Sequence, residues 1–216
     1  KIHAMRQSMT SLGHRLKCQP HECSIESCLY QFTTMEMLTG NNKYLCSHCN
    51  KGLGKKAKYT IANRQALIFV PPSILTLHLK RFQQTIMSLK KLSKHVTFSE
   101  ILDMAPFCSS LAQNVKPNED KVLYSLFGVV EHSGSLRSGH YTAYVKVRDD
   151  IKDTASSIPL QPNGIGNKSV VGSENSSVGP YPGRWFYVSD GNVSEVKNIS
   201  NVLNSQAYIL FYERIL

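Results

Sequence analysis

The segment Ser138-Gly139-His140-Tyr141-Thr142-Ala143-Tyr144 sets an imidazole directly after a glycine, and 44 residues after His140 the chain reads Arg184-Trp185-Phe186-Tyr187-Val188-Ser189-Asp190. Imidazole changes charge near neutral pH and can take a proton and return it, so a histidine beside a polar partner has the makings of a general base and acid. An isolated histidine is by default a surface or satisfied core residue. The neighbours of His140 argue otherwise. Gly139 lets a substrate backbone approach closely, and Tyr141, Ala143, Val145 and Val147 fall on one face of an alternating segment, which puts His140 at the mouth of a strand. Ser189 and Asp190 end the second segment with two polar side chains. Their ordinary readings are a strand-end hydroxyl and, before Gly191, a turn aspartate.

The elements that must carry these residues are mostly strands. Leu67 to Val70 reads as a strand stopped by Pro71-Pro72, and Leu75, Leu77 and Leu79 alternate with Thr76, His78 and Lys80. Further strands are predicted at His95 to Phe98, Val122 to Glu131, His140 to Arg148, Trp185 to Ser189 and Ala207 to Arg214. Ser24 to Leu38 reads as the helix, capped by Ser24 with Glu26 in its first turn and stopped by Gly40-Asn41-Asn42. Residues 1–21 form an irregular lead-in. Asp149 to Gly183, rich in Ser, Asn, Gly and Pro, reads as a flexible insertion. Loop closure costs only about 0.6 kcal/mol per doubling of length, so the insertion does not separate His140 from Ser189 in space.

Several segments together resemble a known family. The histidine segment and the Trp185 segment are similar to the histidine box of the ubiquitin-specific proteases, papain-like cysteine peptidases that cut ubiquitin from its conjugates. Leu29-Tyr30-Gln31-Phe32 with Glu36 and Leu38, Tyr44-Leu45-Cys46-Ser47-His48-Cys49, Pro71 to Phe82 and Gln206 to Tyr212 match that family's finger helix, second zinc knuckle, Leu-Lys-Arg-Phe strand and closing strand, in order. The resemblance covers about residues 22–148 and 184–216, and is nearest the branch with an additional amino-terminal ubiquitin-binding zinc finger. It implies an α+β, papain-like fold with fingers at 22–66 and a palm at 67–148 and 184–216. It also implies a thiol-dependent deubiquitinase that cleaves the isopeptide bond after ubiquitin's carboxy-terminal glycine. Ubiquitin and ubiquitinated proteins would be its partners, and catalysis would need no cofactor.

Carried onto these positions, the family pattern makes His140 the base and acid. Aligned from Trp185, the first of its two polar positions is Ser189, the expected partner of His140, and the second is Asp190, in support. The loop Glu131 to Ser138 would flank the channel for ubiquitin's Gly-Gly tail, with Gly139 narrow, Arg137 bonding tail carbonyls and Tyr141 as a wall. None of Cys18, Cys23, Cys28, Cys46, Cys49 or Cys108 lies in the family's Gly-Asn-Thr-Cys context. The expectation is therefore a carboxy-terminal part of a protease domain, with thumb, nucleophile and oxyanion-hole side chain upstream and no turnover by itself. Cys46 and Cys49 have the spacing of half a zinc site, which upstream cysteines would complete. Cys23 and Cys28, placed on one helix, would point about 140° apart and suit one metal poorly.

Composition bounds the alternatives. With 216 residues, 41% of them hydrophobic, the chain can build a core. No apolar run reaches the roughly 18 residues of a membrane span, no signal-peptide core opens the chain, and the cysteine spacing suits thiols or metal better than disulfides. These features predict a protein of the nucleus or cytoplasm. Residues 1–94 hold 15 Lys and Arg against 3 Asp and Glu, a basic face that could meet chromatin or another acidic surface. Two rival readings remain at this level: a ubiquitin-binding pseudo-enzyme, and a basic zinc-ribbon nucleic-acid binder. The second leaves the histidine box unexplained.

Overall fold

A computed structural model of the chain describes residues 22–84, 89–115, 120–135, 138–148 and 182–215, and divides it into two compact units, one comprising 22–71 with 106–115 and the other 72–105 with 120–215. The lead-in 1–21 with Cys18, Arg137, and residues 149–181 of the expected insertion lie outside the described residues.

The first unit opens with α1 (Ile25–Phe32), shorter than the helix predicted from Ser24 to Leu38. Ser24 caps it as expected, but the reciprocal partner is Ser27, whose side chain bonds the Ser24 backbone. The helix ends because Thr33 and Thr34 turn their hydroxyls back to the carbonyls of Leu29 and Tyr30. The chain then extends as β1 (Glu36–Leu38), antiparallel to β2 (Ala62–Arg64). Ile25 is buried and Tyr30 packs on Phe107 with ring centroids 4.7 Å apart. The strand predicted at Leu67 to Val70 reduces to a single bridge between Ile68 and Cys108. The following Pro71-Pro72 has no N–H with which to extend a ladder.

The second unit is built on a seven-stranded sheet. Its strands are β3 (Ile74–His78), β6 (Ile101–Asp103), β7 (Leu123–Gly134), β8 (Gly139–Val147), β9 (Arg184–Ser189), β10 (Asn192–Val196) and β11 (Ala207–Arg214). The order is β10-β9-β8-β7-β11-β3, with β6 also on β7, and every pairing is antiparallel. A separate hairpin joins β4 (Phe82–Gln84) to β5 (Leu89–Lys91), and α2 (Ile199–Leu203) precedes β11. Tyr124, Leu126, Val129, Leu210 and Tyr212 from the two central strands are fully buried, each worth roughly 1.5–3 kcal/mol of burial. His95 to Phe98 is not a strand. Val96 and Phe98 are buried as the alternation predicts, but the ladder forms a few residues later, at β6. β1 falls where the helix is expected to continue, and β2, the β4–β5 hairpin, β10 and α2 had no prediction.

Candidate active site

One hairpin and one ladder bring the candidate residues together. β7 and β8 form one hairpin in which Ser133 pairs with His140 and Gly134 with Gly139. The β8–β9 ladder runs as far as Ala143–Val188, so His140 and Ser189 lie in the mouth just beyond it. Alternation along β9 puts Trp185, Tyr187 and Ser189 on one face. Trp185 is 4% exposed and anchors that face in the core. At its other end Ser189 reaches His140, with Nε2 and Oγ 2.9 Å apart. Asp190 occupies the two-residue turn between β9 and β10 with φ of 50°, a left-handed conformation that aspartate tolerates better than most residues. Its Oδ2 stands 3.9 Å from the same Nε2. The turn reading of Asp190 and its nearness to His140 thus hold together.

A cavity of about 380 Å³ opens beside the pair, lined among others by Lys91, Glu131, His132, His140, Tyr187 and Ser189 and by no described cysteine. The His140 side chain is 45% exposed, open to a reacting group. Gly139 is crowded by the chain itself: a Cβ there would lie 2.0 Å from His132 Nε2 and 2.5 Å from the Ser133 carbonyl oxygen. Tyr141 is on the opposite face of β8 from His140, half exposed, with its ring 4.8 Å from His132 and 6.0 Å from Tyr208. In the sequence Lys91 belongs only to the basic half and His132 only to the loop before the histidine. They are 41 positions apart, so no spacing in the sequence joins them.

The cysteine knuckle belongs to the first unit. Asn50 holds it closed, bonding the Cys46 carbonyl and both the N–H and the carbonyl of Lys58. The Cys49 N–H points at Cys46 Sγ, 3.4 Å away. That N–H, and after it the Cys49 thiol, draws the Cys46 thiol below its ordinary pKa, while the hydrogen bond to Cys46, and after it the Cys46 charge, pushes the Cys49 thiol up. Two adjacent sulfurs with one disposed to ionise are a fit donor pair for zinc. Among the described residues no three His, Cys, Asp or Glu side chains converge on a metal position. Cys23 is not on α1 but precedes its cap, so the 140° separation does not apply. Burial, and then the neighbouring Cys23, raise the pKa of the Cys28 thiol.

Comparison with known proteins shows the family of the chain. The family model described as ubiquitin carboxyl-terminal hydrolase matches residues 5–212. The chain belongs to that family. It is 44% identical to mouse ubiquitin carboxyl-terminal hydrolase 45 over 100% of this chain and 27% of that protein. It is 47% identical to zebrafish ubiquitin carboxyl-terminal hydrolase 16 over 95% of this chain and 24% of that protein. The chain thus spans about a quarter of these relatives' length. Among solved structures, the yeast SAGA DUB module superposes with a TM-score of 0.60 at 28% identity, covering 89% of this chain and 33% of that one. The SAGA Ubp8/Sgf11/Sus1/Sgf73 DUB module bound to ubiquitin aldehyde gives 0.57 at 25% identity, covering 92% and 35%. The α+β, papain-like fold of the ubiquitin-specific proteases is therefore the fold of this hydrolase-family chain. Among the described residues, no helix is long and apolar enough to cross a membrane.

Proposed function

We propose that this chain carries the histidine half of a thiol-dependent deubiquitinase that hydrolyses the isopeptide bond after ubiquitin's terminal glycine. The observation that carries the reading is the 2.9 Å contact between His140 Nε2 and Ser189 Oγ, with the Asp190 carboxylate 3.9 Å away. A hydroxyl can donate or accept and leaves the imidazole tautomer open, whereas a carboxylate only accepts. Asp190 therefore favours the proton on Nε2, and Ser189 fixes the ring plane. Nδ1 is left with a lone pair facing the reacting group.

In the proposed reaction Nδ1 takes the proton of a cysteine thiol, and the thiolate adds to the scissile carbonyl carbon. The imidazolium returns that proton to the departing lysine amine, leaving a thioester. Water then adds as Nδ1 takes one of its protons, and the thiolate leaves. The thiol itself is proposed to come from outside these 216 residues, because none of the six cysteines stands in the family's Gly-Asn-Thr-Cys context. Ubiquitin as partner is supported by the similar module's complex with ubiquitin aldehyde. Gly139, Tyr141 and Arg137 are proposed to flank the ubiquitin tail. Cys46 and Cys49 are proposed as two thiolate ligands of a structural zinc, and the basic residues of 1–94 as a face for an acidic surface such as chromatin.

The test is a ubiquitin probe with a carboxy-terminal electrophile, reacted with the full-length protein. Covalent labelling and turnover of a ubiquitin–fluorophore, both lost in His140→Ala, are expected. Tight ubiquitin binding without labelling would make the protein a pseudo-enzyme instead.

A further inference from the structure

The β11–β7 ladder ends at Ala207–Glu131, yet β7 continues to Gly134 and carries the partner residues of Gly139 and His140. Donors for this unsupported end come from the side. Lys91, at the end of β5, extends its ammonium to the carbonyl oxygens of His132 at 2.6 Å and Gly134 at 3.2 Å, and to His132 Nδ1 at 3.1 Å. An ammonium has three N–H donors and no acceptor, so these three acceptors can take up all of its donors. Nδ1 must then be the unprotonated nitrogen, and His132 is neutral with its proton on Nε2. Burial of the ring, and after it the Lys91 charge, favour the same state. Nε2 in turn lies against Gly139, so closely that no side chain fits there, and the ring packs edge-on with Phe82 and tilted against Tyr141, with centroids 5.4 and 4.8 Å away. The chain of contacts runs from Lys91 through His132 to the backbone that begins β8, one residue before His140.

We propose that Lys91, acting through His132, is a positioning residue that holds His140 in register with Ser189. The role rests on the deubiquitinase reading above. His140 has few other constraints, being nearly half exposed and bonded to Ser189 and, through its carbonyl, to Ser133. Without the ammonium, the carbonyls of His132 and Gly134 and the His132 ring lose their common donor. The mouth of the β7–β8 hairpin then relaxes. A displacement of about 1 Å at a reacting group can cost on the order of a hundredfold in rate.

The decisive variant is Lys91→Met in the full-length protein, which keeps the aliphatic stem and removes the donors. For ubiquitin–fluorophore hydrolysis, kcat should fall by about tenfold or more while KM stays within about twofold, because binding is kept and alignment is lost. Amide exchange at His132 to Gly134 and Gly139 to Tyr141 should accelerate, while that of Val129 and Leu210 stays unchanged. His132→Leu should act in the same direction, and the double variant should lose no more than the worse single one. An unchanged kcat, or a kcat loss matched by an equal loss of probe-reactive sites, overturns the proposal. A wild-type protein without turnover instead overturns the deubiquitinase reading, and the catalytic role of Lys91 falls with it.

Discussion

In the proposed deubiquitinase reaction, Ser189 and Asp190 would share the task of orienting His140 and steadying its charge. In that reading the hydroxyl, 2.9 Å from His140, would orient the ring, while the carboxylate at 3.9 Å would bias the tautomer and steady the imidazolium. In the full-length protein Ser189→Ala should therefore cost about tenfold in kcat and Asp190→Ala less, within the usual range for groups that assist a general base. Loss of activity in Asp190→Ala alone would reverse the assignment. His132 makes a different prediction, about stability. Its folded pKa lies below the ordinary 6.5, so between those two values the unfolded chain binds the proton and the folded chain does not. The stabilisation is present above pH 6.5 and is lost as pH falls through the lowered folded pKa. Thermal melts taken from pH 7.5 down to 5 should show a steeper decline for the wild type than for His132→Leu.

At the scale of elements, β8 and β9 place the reacting edge and bury the opposite end. Lys146 pairs with Trp185 across the ladder, and its Nζ donates to Glu100 Oε1 at 2.9 Å with only 2% of the side chain exposed. A buried carboxylate left without its cation is costly, although the Glu100 side chain keeps 19% of its surface in solvent. Lys146→Ala should cost about 2–3 kcal/mol in urea denaturation and Lys146→Met less, since methionine refills the volume. The first helix is the simpler case. Ser24→Ala removes the cap of an eight-residue helix and should cost about 1 kcal/mol. Thr33 and Thr34 also explain why it is shorter than its apolar spacing predicts. The apolar spacing that suggested a helix to Leu38 continues past them, but their hydroxyls compete for the last carbonyls and release the chain into β1.

For the whole molecule, the zinc proposal has a direct measure. Metal analysis of the purified full-length protein should find zinc, with Cys46→Ser lowering its content and a chelator lowering the melting temperature. Zinc-free protein with an unchanged melting temperature would remove the half-site. His140, Ser189 and Asp190 can be picked out from the sequence because the Gly139-His140 and Trp185 segments resemble the family's histidine box, a pattern read over a few residues, whereas the Asp-Gly pair by itself points only to a turn. The long strands β7, β8, β9 and β11 were legible because alternation is a local signal too. The strand misplaced at His95 to Phe98 and the unpredicted β4–β5 hairpin are pairing outcomes: a buried alternating segment becomes a strand only where a neighbour offers its backbone. The sequence by itself determined the family, the histidine and its two polar neighbours. Only the tertiary structure decided that Ser189, not Asp190, makes the shorter contact, that His132 is what requires glycine at 139, and that Lys91 reaches across 41 residues to brace it. Such contacts depend on register between strands distant in the chain, and no local pattern records them.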